Sequence, residues 1–174
     1  MALILRALAF AAHKHRDQRR KDPQSSPYIN HPIALAHVLC VEGGIVDAEV
    51  LAAAILHDTI EDTETTPAEL RREFGEVICR IVLEVSDDKT LPGEERKRLQ
   101  IEHAAAASEA ARLVKLADKI CNLRDIAACP PVGWSLVRRQ RYFDWARAVI
   151  DRIRGTHPGL EAVFDAAYRL RPSA

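Results

Sequence analysis

Glycine is scarce in this chain of 174 residues, with 7 occurrences, and aromatic side chains make up only 5% of it. With no convincing strand pattern either, the sequence gives little footing to a turn-dense β architecture. Excess charge is also missing, since 25 basic side chains face 25 acidic ones for a formal net charge of +0. A general nucleic-acid binder shows a basic surplus, so that class is excluded, although local clusters of charge can still hold a small anion. No apolar run approaches the roughly 20 residues that a bilayer span requires. The opening stretch Met1–Arg6 is too short for the apolar segment of a signal peptide and runs straight into a helical pattern, so a cytoplasmic location is expected. Cysteine is limited to Cys40, Cys79, Cys121 and Cys129, with no Cys-x-x-Cys pair. Buried, reduced thiols are therefore expected, and neither a zinc site nor a disulfide.

What remains is a composition built for helices: 48% hydrophobic, 29% charged, and rich in Ala, Leu, Arg and Glu. The length suits one domain over 1–174, with enough chain to bury a core without disulfides. Residues 2–17 read as a first helix, followed by the basic loop 16–21 and the turn-rich segment 22–27. A second helix starts near Asn30-His31-Pro32, where proline suits the first helical position, and ends at Gly43-Gly44. Asp47 caps a third that reaches His57-Asp58, and Thr65-Thr66-Pro67 with Glu69 opens a fourth. Gly75 separates that helix from a fifth over 76–86. Further helices are expected over about 94–107, about 109–128 with Ser108 as cap and Pro130-Pro131 as stop, about 134–154 and 158–169. The expectation is an all-α fold without repeat or linker, and the sequence carries no signal for an oligomeric state.

Chemistry enters at His57-Asp58, which closes an otherwise apolar helix, with Glu61-Asp62 one turn on. Acidic groups crowded together repel unless a divalent ion or hydrogen-bond donors offset them. Taken alone, His57-Asp58 also reads as a helix end with solvated carboxylates, His31 as a surface or capping histidine, and Asp118 as the partner of Lys115 or Arg124. Together, His31, His57, Asp58 and Asp118 make a mixed imidazole and carboxylate set, which suits Mn²⁺, Fe²⁺ or Zn²⁺ better than an all-oxygen calcium site. Four protein ligands would leave positions free for water, the nucleophile a hydrolase needs.

A histidine, then His-Asp, then a distant aspartate on a core helix resembles the HD phosphohydrolase superfamily, which implies a single-domain HD-type helical bundle of about eight to ten helices. The words Arg20-Lys21, Pro27-Tyr28-Ile29-Asn30-His31-Pro32, Leu56-His57-Asp58-Thr59-Ile60-Glu61-Asp62-Thr63 and Val114-Lys115-Leu116-Ala117-Asp118-Lys119 are similar to the hydrolase domain of RelA/SpoT proteins. Asp87–Pro92, Arg96–Gln100 and Gly133-Trp134-Ser135 are similar to the stand-alone small alarmone hydrolases of the metazoan SpoT homologue type. The likeness runs from about residue 5 to 165.

The resemblance implies one Mn²⁺ per chain on His31, His57, Asp58 and Asp118, with Glu61 and Asp62 as the catalytic pair. It implies removal of the 3′-pyrophosphate from (p)ppGpp, a step of the stringent response, giving GDP or GTP and pyrophosphate. Arg20, Lys21, Tyr28, Asn122, Arg138 and Tyr142 fall on positions that would bind the nucleotide. The blander readings are a solvated loop for Arg20 and Lys21 and ordinary helix packing for Tyr142. For Lys89, Arg96, Lys97 and Arg98 the solvated helix face is preferred to a place on the cleft rim. Two departures stand out: Gly93 replaces a lysine common in the stand-alone enzymes, and Ser25-Ser26 replaces a more usual Gly/Thr pairing. The same machinery would also serve another purine nucleotide, such as the 2′-phosphate of NADPH, and a nucleotide-binding sensor is a third reading.

Overall fold

Three helix starts follow the capping chemistry legible in the sequence. The Asp47 carboxylate accepts from the backbone N–H groups of Glu49 and Val50, the Thr66 hydroxyl from Glu69, and the Ser108 hydroxyl from Ala111. Each such cap contributes about 1 kcal/mol by satisfying a backbone donor that the helix itself leaves open. The computed structural model describes residues 1–173. Its helices are α1 (Ala2–Lys14), α2 (Asn30–His37), α3 (Ala48–Leu56), α4 (Thr59–Asp62), α5 (Pro67–Phe74), α6 (Glu76–Val85), α7 (Gly93–His103), α8 (Glu109–Ala128), α9 (Leu136–Asp151) and α10 (Pro158–Tyr168). Among the described residues no strand occurs, only an isolated antiparallel bridge between Arg19 and Pro27. No helix of the described chain is long and apolar enough to cross a membrane.

The expected boundaries hold to within a few residues, with instructive exceptions. The first helix ends at Lys14 rather than near 17, because His15–Asp17 peel off into a turn that starts the α1–α2 loop. The second helix loosens into a π-helical turn over Val38–Glu42 before Gly43. A Cβ on Gly43 would come 2.9 Å from Leu160 Cδ2 and 2.8 Å from the Leu39 carbonyl, so only glycine lets this turn sit against α10. Ser25 adopts φ 50°, a left-handed conformation that glycine takes freely and serine takes at some cost in strain. The cysteine expectation needs correction. Cys79 and Cys121 are buried, whereas Cys40 is exposed and Cys129 half-buried, because both lie where their helices run out.

Helix α8 is the axis of the core. It packs against α2, α3, α6, α9 and α10, and eleven of its 20 residues are buried. Leu116, Ile120 and Leu123 are fully covered, together with Leu35, Leu56, Ile78, Phe143 and Phe164 from the surrounding helices. Each such side chain contributes on the order of 2 kcal/mol by leaving water. This packing fixes α2, the α3–α4 junction and the middle of α8 around one polar chamber.

Candidate active site

The α3 helix ends at Leu56, where the Thr59 hydroxyl donates to the Leu56 carbonyl at 2.6 Å. The chain turns at His57 and Asp58 and restarts as α4, so both side chains enter the chamber at a break between helices. His31 comes from the first turn of α2 and Asp118 from the middle of α8. One ligand atom from each of His31, His57 and Asp118 lies within 4.8 Å of the others. Asp58 stands at the edge of this group, its Oδ2 2.9 Å from His57 Nε2, and it receives a hydrogen bond from the Tyr28 hydroxyl.

The residues fit a divalent cation on a specific ground. His57 Nδ1 lies 2.8 Å from the Ala54 carbonyl, which can only accept, so Nδ1 carries the proton. Its Nε2 is buried without a hydrogen-bond partner and faces a carboxylate oxygen. A backbone carbonyl fixing one ring nitrogen so that the other is free to ligate is the usual support of a metal-bound histidine. Burial opposes charge on His57, yet Asp58 and Asp118 outweigh it and lift its pKa to about 9. A proton in this chamber thus stands where a metal's charge would, and binding a cation would release it. Burial would push Asp118 up, but Lys119 and His31 hold its carboxyl well below the usual range. His31, 3% exposed, is shifted down by burial despite Asp118 at 3.3 Å.

The acidic pair faces the same chamber under different control. Glu61 Oε2 accepts from the Asp87 backbone N–H at 3.0 Å, and Arg96 reaches Glu61 Oε1 at 3.6 Å. Burial, with Asp58, Asp87 and Asp62 adding to it, raises the Glu61 pKa to about 7 against the hydrogen bond from Asp87. Asp62 Oδ2 accepts from Gln18 Nε2 at 2.8 Å, and its Oδ1 is paired with Lys89. Lys89 and Arg96 are therefore not simply solvated, as the sequence led us to expect. The segment that follows α6 folds over the acidic pair and brings both cations to it, whereas Lys97 and Arg98 do pair with glutamates on their own helix.

A chamber of about 210 Å³ holds His31, His57, Asp58, Glu61, Asp62 and Asp118, and an outer cleft of about 660 Å³ adjoins it. Both are lined by Arg20, Tyr28, His31, Asp62, Asn122 and Tyr142. Arg20 is held by Asp125 at 2.6 Å and lies over the Tyr28 ring, while Lys21 lines only the outer cleft. Asn122 donates to Asp118 Oδ1 at 2.6 Å, as the one-turn spacing implied. Tyr142 and Trp134 form an aromatic wall with ring centres 5.8 Å apart. Arg138 lies outside the lining of both spaces; it is exposed and stacks on Trp134 at 4.4 Å. The Tyr28 hydroxyl is committed to Asp58, which makes its ring the part that faces the cleft.

Sequence reasoning missed the part played by Lys119 and the burial of Lys115. Lys119 donates to Asp118 Oδ2 at 2.8 Å and lies over the Trp145 ring at 4.4 Å. Lys115, 9% exposed, lines the chamber without an ion pair among the described residues, and burial lowers its pKa to about 8, Lys119 adding to the effect. Neither expected partner of Asp118 pairs with it, since Arg124 is bound to Glu42. The signal was present: both lysines interrupt an apolar helical face beside Asp118. Gln18 and Lys89 left no local signal, because their partner lies 44 and 27 positions away.

A chamber of paired histidines and carboxylates at a helix break, roofed by cations and opening into an aromatic cleft, is the setting of a metal-dependent hydrolase. The chain belongs to the HD domain family, whose profile matches residues 7–141. It is 58% identical over 94% of its length to a protein of Xenopus tropicalis named guanosine-3′,5′-bis(diphosphate) 3′-pyrophosphohydrolase MESH1, of which it covers 92%. It is 54% identical to the human protein of that name, over 98% of this chain and 95% of the other. A solved structure described as a metazoan orthologue of SpoT that hydrolyses ppGpp and plays a role in starvation responses matches with a TM-score of 0.95 at 50% identity, covering 98% of this chain and 96% of that one.

Proposed function

We propose that this chain is a Mn²⁺-dependent (p)ppGpp 3′-pyrophosphohydrolase acting in the cytoplasm as one domain, releasing GDP or GTP and pyrophosphate. The observation that carries this reading is the convergence of His31, His57 and Asp118 within 4.8 Å, beside Asp58 and the Glu61-Asp62 pair. His31, His57, Asp58 and Asp118 are assigned to one divalent cation, which when bound supplies Lewis-acid charge and lowers the pKa of water at neutral pH. The imidazole and carboxylate donors are compatible with Mn²⁺.

The chain's own residues do the rest. Asp62 holds one carboxylate oxygen against Gln18 and the other against Lys89, and these bonds orient it to accept the proton that attacking water gives up. Glu61, with its pKa raised to about 7 by burial and neighbouring carboxylates, can exchange a proton near neutrality. Lys115 and Lys119 put positive charge where the departing pyrophosphate gains negative charge. The outer cleft suits the nucleoside: Tyr142 and Tyr28 offer ring faces, Asn122 an amide, and Arg20 and Lys21 charge for the 5′-phosphates.

The test is pyrophosphate release from ppGpp by purified protein, with phosphate release from NADPH assayed in parallel. Turnover of ppGpp that EDTA removes and Mn²⁺ restores is expected. Failure to turn over ppGpp with Mn²⁺ present overturns the substrate assignment, and the NADPH arm shows whether another purine nucleotide takes its place.

A further inference from the structure

His15, in the turn where the chain leaves α1, has no place in the chemistry so far, and Gln18 has entered only as a donor to Asp62. His15 is 2% exposed, and its Nδ1 lies 2.6 Å from Gln18 Oε1. Gln18 Nε2 in turn donates to Asp62 Oδ2 at 2.8 Å. A carboxylate paired with the Lys89 ammonium is an acceptor, so the Gln18 amide presents its NH₂ group there. The amide oxygen then faces His15, and His15 must carry a proton on Nδ1 to meet it. Its other ring nitrogen, Nε2, is buried without a hydrogen-bond partner.

The backbone holds this arrangement in place. Gln18 N–H donates to the His15 carbonyl at 3.0 Å, and Tyr28 N–H donates to the Gln18 carbonyl at 3.2 Å. The His15 ring rests on the Tyr28 ring, with centres 4.8 Å apart, and the Tyr28 hydroxyl holds Asp58. Asp62 therefore has a rigid donor on one oxygen and, on the other, only Lys89 from a loop. Without the rigid donor, the ammonium alone would set the carboxylate's direction.

We propose that His15 is a positioning residue, acting through Gln18 to aim the Asp62 carboxylate at attacking water. The proposal rests on reading Asp62 as the proton acceptor of the hydrolysis. His15→Phe keeps the ring stacked on Tyr28 but removes the Nδ1 donor, whereas His15→Asn keeps a donor near that position with less bulk. Gln18→Ala breaks the same chain at a half-buried residue and guards against a folding defect in the His15 variants.

Expected for His15→Phe and Gln18→Ala is a fall in kcat on the order of 10- to 100-fold, with KM within about twofold and bound metal unchanged. His15→Asn should stay within about threefold of the parent kcat despite its looser packing. The double variant His15→Phe/Gln18→Ala should be no slower than Gln18→Ala alone, since both break one chain of bonds. Equal activity of His15→Phe and His15→Asn, or losses that follow melting temperature rather than the donor, would overturn the proposal.

A long-range ¹H–¹⁵N correlation spectrum of the protein loaded with diamagnetic Zn²⁺ gives a readout that needs no substrate. It should place the His15 proton on Nδ1, and a proton on Nε2 alone overturns the relay. If the tautomer is as expected but the parent protein does not turn over ppGpp, the substrate assignment fails and the relay stands.

Discussion

Helices α7 and α8 are both rich in charge, and they use it in opposite ways. In α7 no residue is buried, and Lys97 and Arg98 pair with glutamates three or four positions away on the same helix. Such pairs are screened by water and contribute little. In α8, Lys115, Asp118 and Lys119 sit among core side chains, where desolvation raises the stake of every charge. The local sequence of α7 accounts for these pairs, though not for Arg96, which leaves the helix to reach Glu61. In α8, Asp118 takes bonds from Lys119 and Asn122 on its own helix, but the burial of these charges is intelligible only through residues brought in from α2, the α3–α4 junction and α9.

The contrast can be broken most severely at Asp118. Asp118→Ala should abolish stoichiometric metal and lower turnover by at least about a thousandfold, read by elemental analysis and pyrophosphate release. A variant with full metal and normal rate would return Asp118 to the status of a simple partner of Lys119. Next is the apolar side of the same helix: Leu116→Ala should cost about 3 kcal/mol in denaturant unfolding, because a fully buried leucine leaves a cavity.

A smaller effect of opposite sign belongs to Glu61. Its folded pKa of about 7 exceeds its ordinary 4.5, so the penalty of holding it ionised is absent below pH 4.5, grows up to about pH 7 and is full above that. Glu61→Gln should therefore stabilise the chelated protein by about 2 kcal/mol at pH 8 and leave it unchanged near pH 4, while slowing turnover. Equal stability of the two proteins across that range would contradict the buried-carboxylate account. The smallest effect is expected in α7, where Arg98→Ala should leave activity unchanged and move the melting temperature by no more than about 1 °C.

Much of this was legible because it is local. The caps at Asp47, Thr66 and Ser108 and the apolar face of α8 are written in neighbouring residues, and so were the bounds of most helices. His31, His57, Asp58 and Asp118 were picked out from residue type and order, and the fold brings three of them within ligating distance, with Asp58 alongside. What escaped were pairings between segments. Lys89 to Asp62, Arg96 to Glu61 and Gln18 to Asp62 depend on how loops cross the chamber, and no local periodicity encodes that. Tyr28 was expected at the nucleotide; its hydroxyl is turned to Asp58, which leaves the ring face for that role, since only the fold decides which end of an amphipathic ring meets water.

Gly43 gives the far end of the chain a stake in a chamber it never enters. The α10 helix sits behind both α8 and the 38–42 turn, bearing on the latter through Leu160, so it braces from outside two of the walls that carry ligands. A methyl group at position 43 would act as a wedge, prying α10 outward and loosening the set of His31 against Asp118. Damage to this remote buttress should therefore show itself as poor metal retention, a symptom easily mistaken for a lesion in the coordination sphere itself.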